Sequence, residues 1–486
     1  MVRADGLNLD CLELIFGYLS GSDLACVAAV CRSFFAGVVP RLYSTLSFAL
    51  PNAKRYRAVI SPFAAVALHP EYAVHVRHID IRDVPIVKSH FNPRFLQECI
   101  HALSLCPNVV SFRCSSAALP PFLGPLAEKE RLHDLRIHAS LTTEQSLKLV
   151  HLVNVRNLTL DFASWNILNQ LPEWSRTLSA NLTTLTLYSA NELNETVLEQ
   201  VLEQLPSLLG LHIVNCSKVD HVTVLGLLTH TPLLEALSLT TGDGSRILPT
   251  PPPALPYLKH LALDVRLSAS QPSVSVVSNI LTYLSAPIPT VPPSANGFVY
   301  PAPSLTAPIR ASSAGAHLES FVIRYPDRQT NIPVSLTTLL VNLHGSTLRS
   351  ASFKGCVVGV HDALPPLCKD GRVLERLALA LPVRDMAMFT LAIEQSSTIR
   401  ALIDLETHAT SSHTPRPSLA ADSVRHLFAK VPSLRTVVSE GTRIWSRGRD
   451  GQATLERATT SGAGSGGRDA AGYGRKGLHW FMPREI

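Results

Sequence analysis

A six-residue pattern, apolar-x-x-apolar-x-apolar, recurs along this chain, and no other feature limits its fold as tightly. It starts at Val76 (VRHIDI), Val109 (VVSFRC), Leu132 (LHDLRI), Val155 (VRNLTL), Leu182 (LTTLTL), Leu208 (LLGLHI), Leu234 (LEALSL), Leu258 (LKHLAL), Leu318 (LESFVI), Leu348 (LRSASF) and Leu374 (LERLAL), and more weakly at Ile399 (IRALID) and Leu434 (LRTVVS). From Val109 to Leu258 successive copies begin 23, 23, 27, 26, 26 and 24 residues apart. The closing alternation of each copy is that of a strand, whose side chains point to opposite faces in turn. Between copies lie stretches that read as helices, among them Thr196–Leu205 and Val222–Thr229. Several end at a proline, as in Cys106-Pro107-Asn108, Leu205-Pro206-Ser207 and Thr231-Pro232-Leu233. Proline cannot continue a helix and leaves the preceding residue extended, so it delivers the chain into the next strand. One strand and one helix cannot bury their apolar faces alone, and stacked neighbours can. With 486 residues, 46% hydrophobic and 16% charged, the chain exceeds the size of a single core and has much surface to bury, so an elongated stack is expected.

The period lies within the 20–29 residues of leucine-rich repeats, which the pattern resembles. The copy at Leu208 resembles the cysteine-containing subtype, with Cys216 three residues after Ile213 and Val219 three further on; Cys356 after Phe353 repeats the placement, and Ala190 after Leu187 is a small substitute. The fold expected is an α/β solenoid of about a dozen units, a horseshoe with parallel strands on its concave face. Residues between the repeating leucines then project into the concave groove free of core duty. Candidates for binding a target there are Thr186, Tyr188, His212, Ser238, Lys259 and His260, and further along Arg266, Glu319, Arg324, Arg349, Glu375 and Arg376. Polar groups at such positions, His212, His260 and Asp264 included, are expected to be solvated.

Ahead of the repeats, residues 7–48 read as three short helices and a first strand. Leu12, Ile15, Phe16 and Leu19 recur at i, i+3, i+4 and i+7, the spacing of one helix face. Ser20-Gly21-Ser22-Asp23 breaks that pattern and caps a second helix, which carries Leu24 and Val27; Val30, Cys31, Phe34 and Phe35 form a third cluster. A unit this small usually needs a partner, a metal or disulfides, and no metal-ligand spacing is present. The order of Leu7, Leu12, Ile15, Phe16, Leu19, Asp23, Leu24, Val30, Cys31, Arg32, Phe34, Leu42, Tyr43 and Leu46 resembles the F-box. Asn8 stands where that family usually has proline, and an asparagine side chain can cap the helix in its place. The resemblance implies docking onto the Skp adaptor, and through it the cullin, of an SCF-type ubiquitin ligase. The contact would fall to Leu7, Asn8, Leu12, Ile15, Phe16, Leu19, Leu24, Val30, Cys31 and Phe34, shared between packing the helices and meeting the adaptor.

The boundaries expected are a helical unit at 1–48, a solenoid at 49–440 with a Pro-rich insertion at 285–315, and a Gly/Arg-rich flexible tail at 441–486. Lys54–His69 reads as helical, and Thr410–Ser418 as a second Pro-rich loop. The tail holds eight Lys or Arg and four Asp or Glu, hence +4 of the chain's +6 net charge, so weak nucleic-acid binding is the most its charge suggests. Its Leu478–Pro483 segment (LHWFMP) is apolar enough to dock or to act as a short linear motif. Nine cysteines without a Cys-x-x-Cys pair read as buried free thiols in a reducing compartment, cytoplasmic or nuclear. No apolar run spans a membrane and no apolar leader opens the chain. Gly472–Gly477 matches G-x-G-x-x-G without the flanking strand and helix that aim backbone N–H groups at phosphate. No catalytic, metal-ligating or cofactor-binding set emerges. Two readings follow: a non-catalytic substrate receptor, or a leucine-rich-repeat scaffold with no ubiquitin role.

Overall fold

Leu185, Leu211, Leu237 and Leu261, the fourth positions of four successive copies, pair strand to strand in one register, and Phe321, Ala351, Leu377, Leu402 and Val437 carry the row onward. Every copy found in the sequence supplies a strand of this row. The computed structural model describes residues 8–19, 21–50, 61–242, 246–266, 273–286, 316–327, 329–382, 385–405, 419–439, 443–448, 453–457 and 480–481. Among them a 16-stranded sheet runs in chain order from Thr45–Phe48 to Ala453–Arg457. Pairing is parallel up to Thr436–Ser439. Leu7 and the segments Thr410–Ser418 and Gly472–Gly477 lie outside the described residues, as does the expected insertion from residue 287 to 315.

Each parallel step requires a crossover, and the helices supply it on one face of the sheet. Their starts follow from short polar side chains. Asn194 Oδ1 accepts from Val197 N at 2.9 Å to begin Glu195–Glu203, and Asp220 Oδ1 accepts from Thr223 N at 2.8 Å to begin His221–Leu227. Leu198, Val201 and Leu202 on the first of these helices share one continuous core with Leu185, Leu187, Leu211 and Ile213 on the strands. The expected α/β solenoid is therefore the fold. The cysteines after the strands behave as the repeat pattern requires: Cys216 Sγ lies 3.5 Å from Leu187 O and Cys356 Sγ 3.4 Å from Lys354 O, filling a small buried space where the chain turns off the sheet.

Two boundaries differ from expectation. The strand Thr45–Phe48, placed at sequence level with the helical unit, pairs with His78–Ile81 and buries Leu46 and Phe48 in the solenoid core. Two antiparallel strands, Arg443–Arg447 and Ala453–Arg457, lie beyond Glu440, where a flexible tail was expected. Alternation in Arg-Ile-Trp-Ser-Arg buries Trp445 against the core and leaves the arginines at the surface, a pattern that the glycine- and arginine-rich composition around it hides. Upstream, the helix within Lys54–His69 is Pro62–Leu68; residues 51–60 of that stretch are not described.

Candidate functional site

The first helix, Leu9–Phe16, carries two apolar stripes and not one. Leu12 and Phe16 join Leu24 and Val38 in a small core between Leu9–Phe16, Gly21–Ala28 and Arg32–Leu42, with Leu19, Val27, Ala28 and Phe34 packed around it. Phe16 meets Phe34 edge to face at 5.3 Å. The first and third helices close on each other at Gly37, where an added Cβ would stand 3.0 Å from Leu12 Cβ and 3.1 Å from Phe16 Cε2. Cys31 starts the third helix, its Sγ accepting from Phe34 N at 3.4 Å. Asn8 precedes the first helix and accepts from Leu12 N through its carbonyl at 3.1 Å, but its side chain makes none of the capping bonds expected of it.

Ile15 departs from the stripe that spacing assigned to it. At about 100° per residue it lies on the flank of the Leu12–Phe16–Leu19 face, and the third helix covers only the centre of that face. It groups instead with Cys11, Leu14 and Tyr18, again at i, i+3, i+4 and i+7. Leu14 is 73% exposed, Ile15 52% and Tyr18 94%; Val30 is also open, at 65%. Leu14 and Tyr18 were not among the sequence candidates, although the second stripe has the same spacing as the first. The third helix then joins the unit to the solenoid: Tyr43 lies 4.5 Å from Tyr72 and Phe35 lies 6.3 Å from it, ring to ring.

A second locus lies on the helix-free face of the sheet, the face a horseshoe turns inward. Thr186, His212, Ser238, Ala262 and Val322 line up there across five strands. Trp480 and Phe481, more than two hundred positions downstream of most of this row, are buried on it in an apolar cluster with Val214 and Ala262, flanked by Tyr188 and Val322. The Phe481 ring stacks on Tyr188 at 6.0 Å and lies 5.5 Å from His212. Its carbonyl oxygen accepts from His260 Nε2 at 2.7 Å and from Ser238 Oγ at 3.2 Å. Ser238 Oγ in turn accepts from His212 Nδ1 at 2.7 Å. The network thus assigns the proton to Nε2 of His260 and to Nδ1 of His212. Burial pushes His260 down to about 4, so the ring is neutral at pH 7, although its bond to Phe481 opposes the shift.

Arg324 lies with its guanidinium carbon 5.2 Å from the centre of the Trp480 ring, a cation–π contact, and its Nη1 3.7 Å from Asp264 Oδ1. Asp264 is fully buried, and burial holds its carboxyl above the ordinary range against the opposing pull of Arg266 at 3.1 Å and of Arg324. Arg266 also donates to Asn215 Oδ1 at 3.0 Å. Of the sequence candidates, Tyr188, His212, Ser238, His260 and Arg324 thus converge on one aromatic pair. Thr186, His212, Ser238, His260 and Asp264 are buried, not solvated as expected, because Trp480 and Phe481 and the arginines cover this part of the face. Lys259, Glu319, Arg349 and Glu375 stand elsewhere, one residue ahead of their strands on the leading edge of the sheet. There Lys259 pairs with Glu235 at 3.1 Å and Arg349 with Glu375 at 3.8 Å. Arg376 lines an open cavity beside Trp480 together with Ser350, Ser352, Lys354 and Ala378.

The family model of the F-box domain matches residues 5–36. Among solved structures, the chain is similar to a protein in the Rad7 and Elc1 complex of yeast, at 14% identity and a TM-score of 0.37, over 71% of this chain and 89% of that one. It is similar as well to the leucine-rich repeat-containing protein LegL7 of Legionella pneumophila, at 14% identity and a TM-score of 0.37, over 69% of this chain and 96% of that one. No helix among the described residues is long and apolar enough to cross a membrane. With the helical unit at its start and the register of its strands, the chain carries an F-box domain at residues 5–36 followed by an α/β solenoid of the leucine-rich-repeat type.

Proposed function

We propose that this chain is the substrate-recognition subunit of an SCF-type ubiquitin ligase, holding a Skp-type adaptor through its F-box and a target protein on the helix-free face of its sheet. F-box domains are adaptor-docking units, and one observation about this unit carries the reading: Cys11, Leu14 and Ile15 on the first helix, with Tyr18 in the turn just after it, form an open apolar stripe, while the other stripe of that helix is already satisfied. A terminal cap with only a structural duty would bury such a stripe, and contiguous exposed apolar surface marks an interaction site. The chain itself would perform no chemistry. By holding target and adaptor in one assembly it would raise the local concentration of target lysines near the ubiquitin-loaded partner.

Co-purification with a Skp-type adaptor tests this directly, using the full chain beside a Leu14→Asp/Ile15→Asp variant. Capture by the parent chain and loss in the variant, with unchanged circular dichroism, is the outcome expected. A second readout is chemical. Cys11 lies on the stripe, so adaptor binding should slow its alkylation by iodoacetamide while Cys26, exposed elsewhere in the unit, serves as comparison. Failure of a folded parent chain to capture the adaptor would favour the scaffold reading.

A further inference from the structure

We infer that the helix-free face holds a receptor site for a chain segment bearing two adjacent bulky aromatic residues, and that Trp480–Phe481 occupies this site in cis, so that a target must displace the chain's own C-terminal segment. This deepens the proposed reading of that face as the target surface and rests on it.

The site has the features of peptide recognition and not merely those of a packed end. An apolar floor of Val214 and Ala262 takes the two rings, Tyr188 and His212 flank the phenyl group, and Arg324 lies against the indole. The main chain is read as well: the Phe481 carbonyl receives two hydrogen bonds, from His260 Nε2 and Ser238 Oγ. A carbonyl is common to every residue, and aromatic side chains have flat, rigid surfaces that bury much area at small entropic loss, so any segment with this pair at the right spacing meets the same donors and the same floor. Burial of His260 keeps its ring neutral at pH 7, so one proton is available on Nε2 for that carbonyl.

The cis occupant fits incompletely. The Trp480 indole N–H is buried without an acceptor among the described residues, as is His260 Nδ1 without a donor. A target segment that supplies either group gains a bond that the tail does not make. Beside Trp480 the open cavity continues past Ser350 and Ser352 toward Arg376, Ile403 and Leu405, which leaves room for residues of a longer segment next to the aromatic pair. The apolar cluster formed by Trp480 and Phe481 is separate from the main solenoid core, so the pair can leave without opening that core. A tethered occupant competes at an effective concentration that free peptide must exceed, and this makes the tail a threshold against weak partners.

Fluorescence polarisation with a labelled synthetic peptide of residues 476–486 tests the inference on full-length protein. The Trp480→Ala/Phe481→Ala variant should bind this peptide at least about tenfold more tightly than the parent chain, whose own tail fills the site. In that variant, adding Ser238→Ala and His260→Ala should weaken the peptide by about tenfold again. A folded variant that binds no better than the parent overturns the proposal. Should the variant fail to fold, the parent chain decides: an excess of the same peptide made with Trp480→Phe, which carries no tryptophan, should shift the protein's tryptophan emission excited at 295 nm to the red as Trp480 leaves the site, and an unmoved spectrum up to saturating peptide overturns it too. Sedimentation gives one further outcome. A concentration-dependent dimer of the parent, abolished in the variant, would show the tail exchanged between two copies and overturn occupation in cis. The peptide assay contains no adaptor, so its failure leaves the F-box docking untouched, and failed adaptor capture leaves the peptide site untouched.

Discussion

Gly355 has a φ of +69°, and an added Cβ would stand 2.1 Å from the Tyr325 carbonyl oxygen, so neither the backbone nor the space admits a side chain. Gly355→Ala should cost about 1–3 kcal/mol, read as a lowered urea midpoint with an unchanged slope. The turn off the sheet is solved differently elsewhere. Phe162, Ser189 and Asn215 follow successive strands with φ of 55°, 56° and 60°. Asn215 tolerates this conformation best and anchors it, donating from Nδ2 to Ser189 Oγ at 2.8 Å. Thiol chemistry is decided at the same scale. Burial pushes Cys106 up to about 11 and Cys114, Cys216 and Cys368 up to about 12. These thiols stay protonated and shielded. Native-state alkylation followed by mass spectrometry should therefore label Cys11 and Cys26 first and leave these four unmodified until the chain unfolds.

Among elements, the first helix has one stripe for its own core and one open to solvent, and the two respond differently to substitution. Phe16→Ala removes a ring from a cluster with few other members and should cost about 3–5 kcal/mol, enough to melt the three-helix unit. Ile15→Asp should change stability by less than about 0.5 kcal/mol because Ile15 is half exposed and lies outside the core of the unit. Thermal melts of the two variants in parallel check both statements. The insertion between Ser273–Leu284 and Ser320–Arg324 is also an element-scale matter. Ala316 N donates to Leu284 O at 3.2 Å, so the chain on either side of residues 287–315 is already tied together. Loop closure depends only weakly on length. Replacing residues 287–315 by a short Gly/Ser linker should thus leave the melting temperature within a few degrees and the far-UV spectrum of the body intact.

Across the whole molecule, two buried histidines couple the fold to pH. Burial pushes both His260 and His344 down to about 4 from an ordinary value of 6.5. Leu318 N donates to His344 Nδ1 at 3.4 Å, which leaves the proton on Nε2 toward Ser285 Oγ at 3.1 Å; a second proton would set donor against donor. Below pH 6.5 the unfolded chain takes up protons that the folded chain refuses. The stability contributed by each histidine is therefore whole above about pH 6.5 and is lost as pH falls toward 4, on the order of 2–3 kcal/mol apiece. Asp264, held up by burial, acts in the opposite sense, its contribution declining as pH rises. Urea denaturation at pH 7, 6 and 5 should show a falling midpoint, and His344→Gln should flatten the fall; a midpoint constant over that range would contradict the assignment of both rings as neutral.

The strands and their register were legible in the sequence because a leucine in this repeat has one physical role: it points into the core, and a slip by one residue would turn it to solvent. The helix starts, the small residues after the strands and the three helices of the F-box were legible for the same reason, since each is fixed by neighbours within a few positions. Ile15 was misplaced because its environment is set by where the third helix crosses, which no spacing within the first helix encodes. The two strands after Glu440 were missed because the first exists only as a partner of Thr436–Ser439 and the second only as a partner of the first. Tyr188, His212, Ser238, His260 and Arg324 could be named from the repeat as facing one side of the sheet. That they meet around Trp480 and Phe481, with the His260 ring neutral and one carbonyl accepting two hydrogen bonds, depends on contacts between residues more than a hundred and fifty positions apart. Periodicity carries information about the nearest neighbour along the chain; the return of a distant segment onto a sheet is decided by tertiary structure, because only there do burial and hydrogen bonding compare it with water.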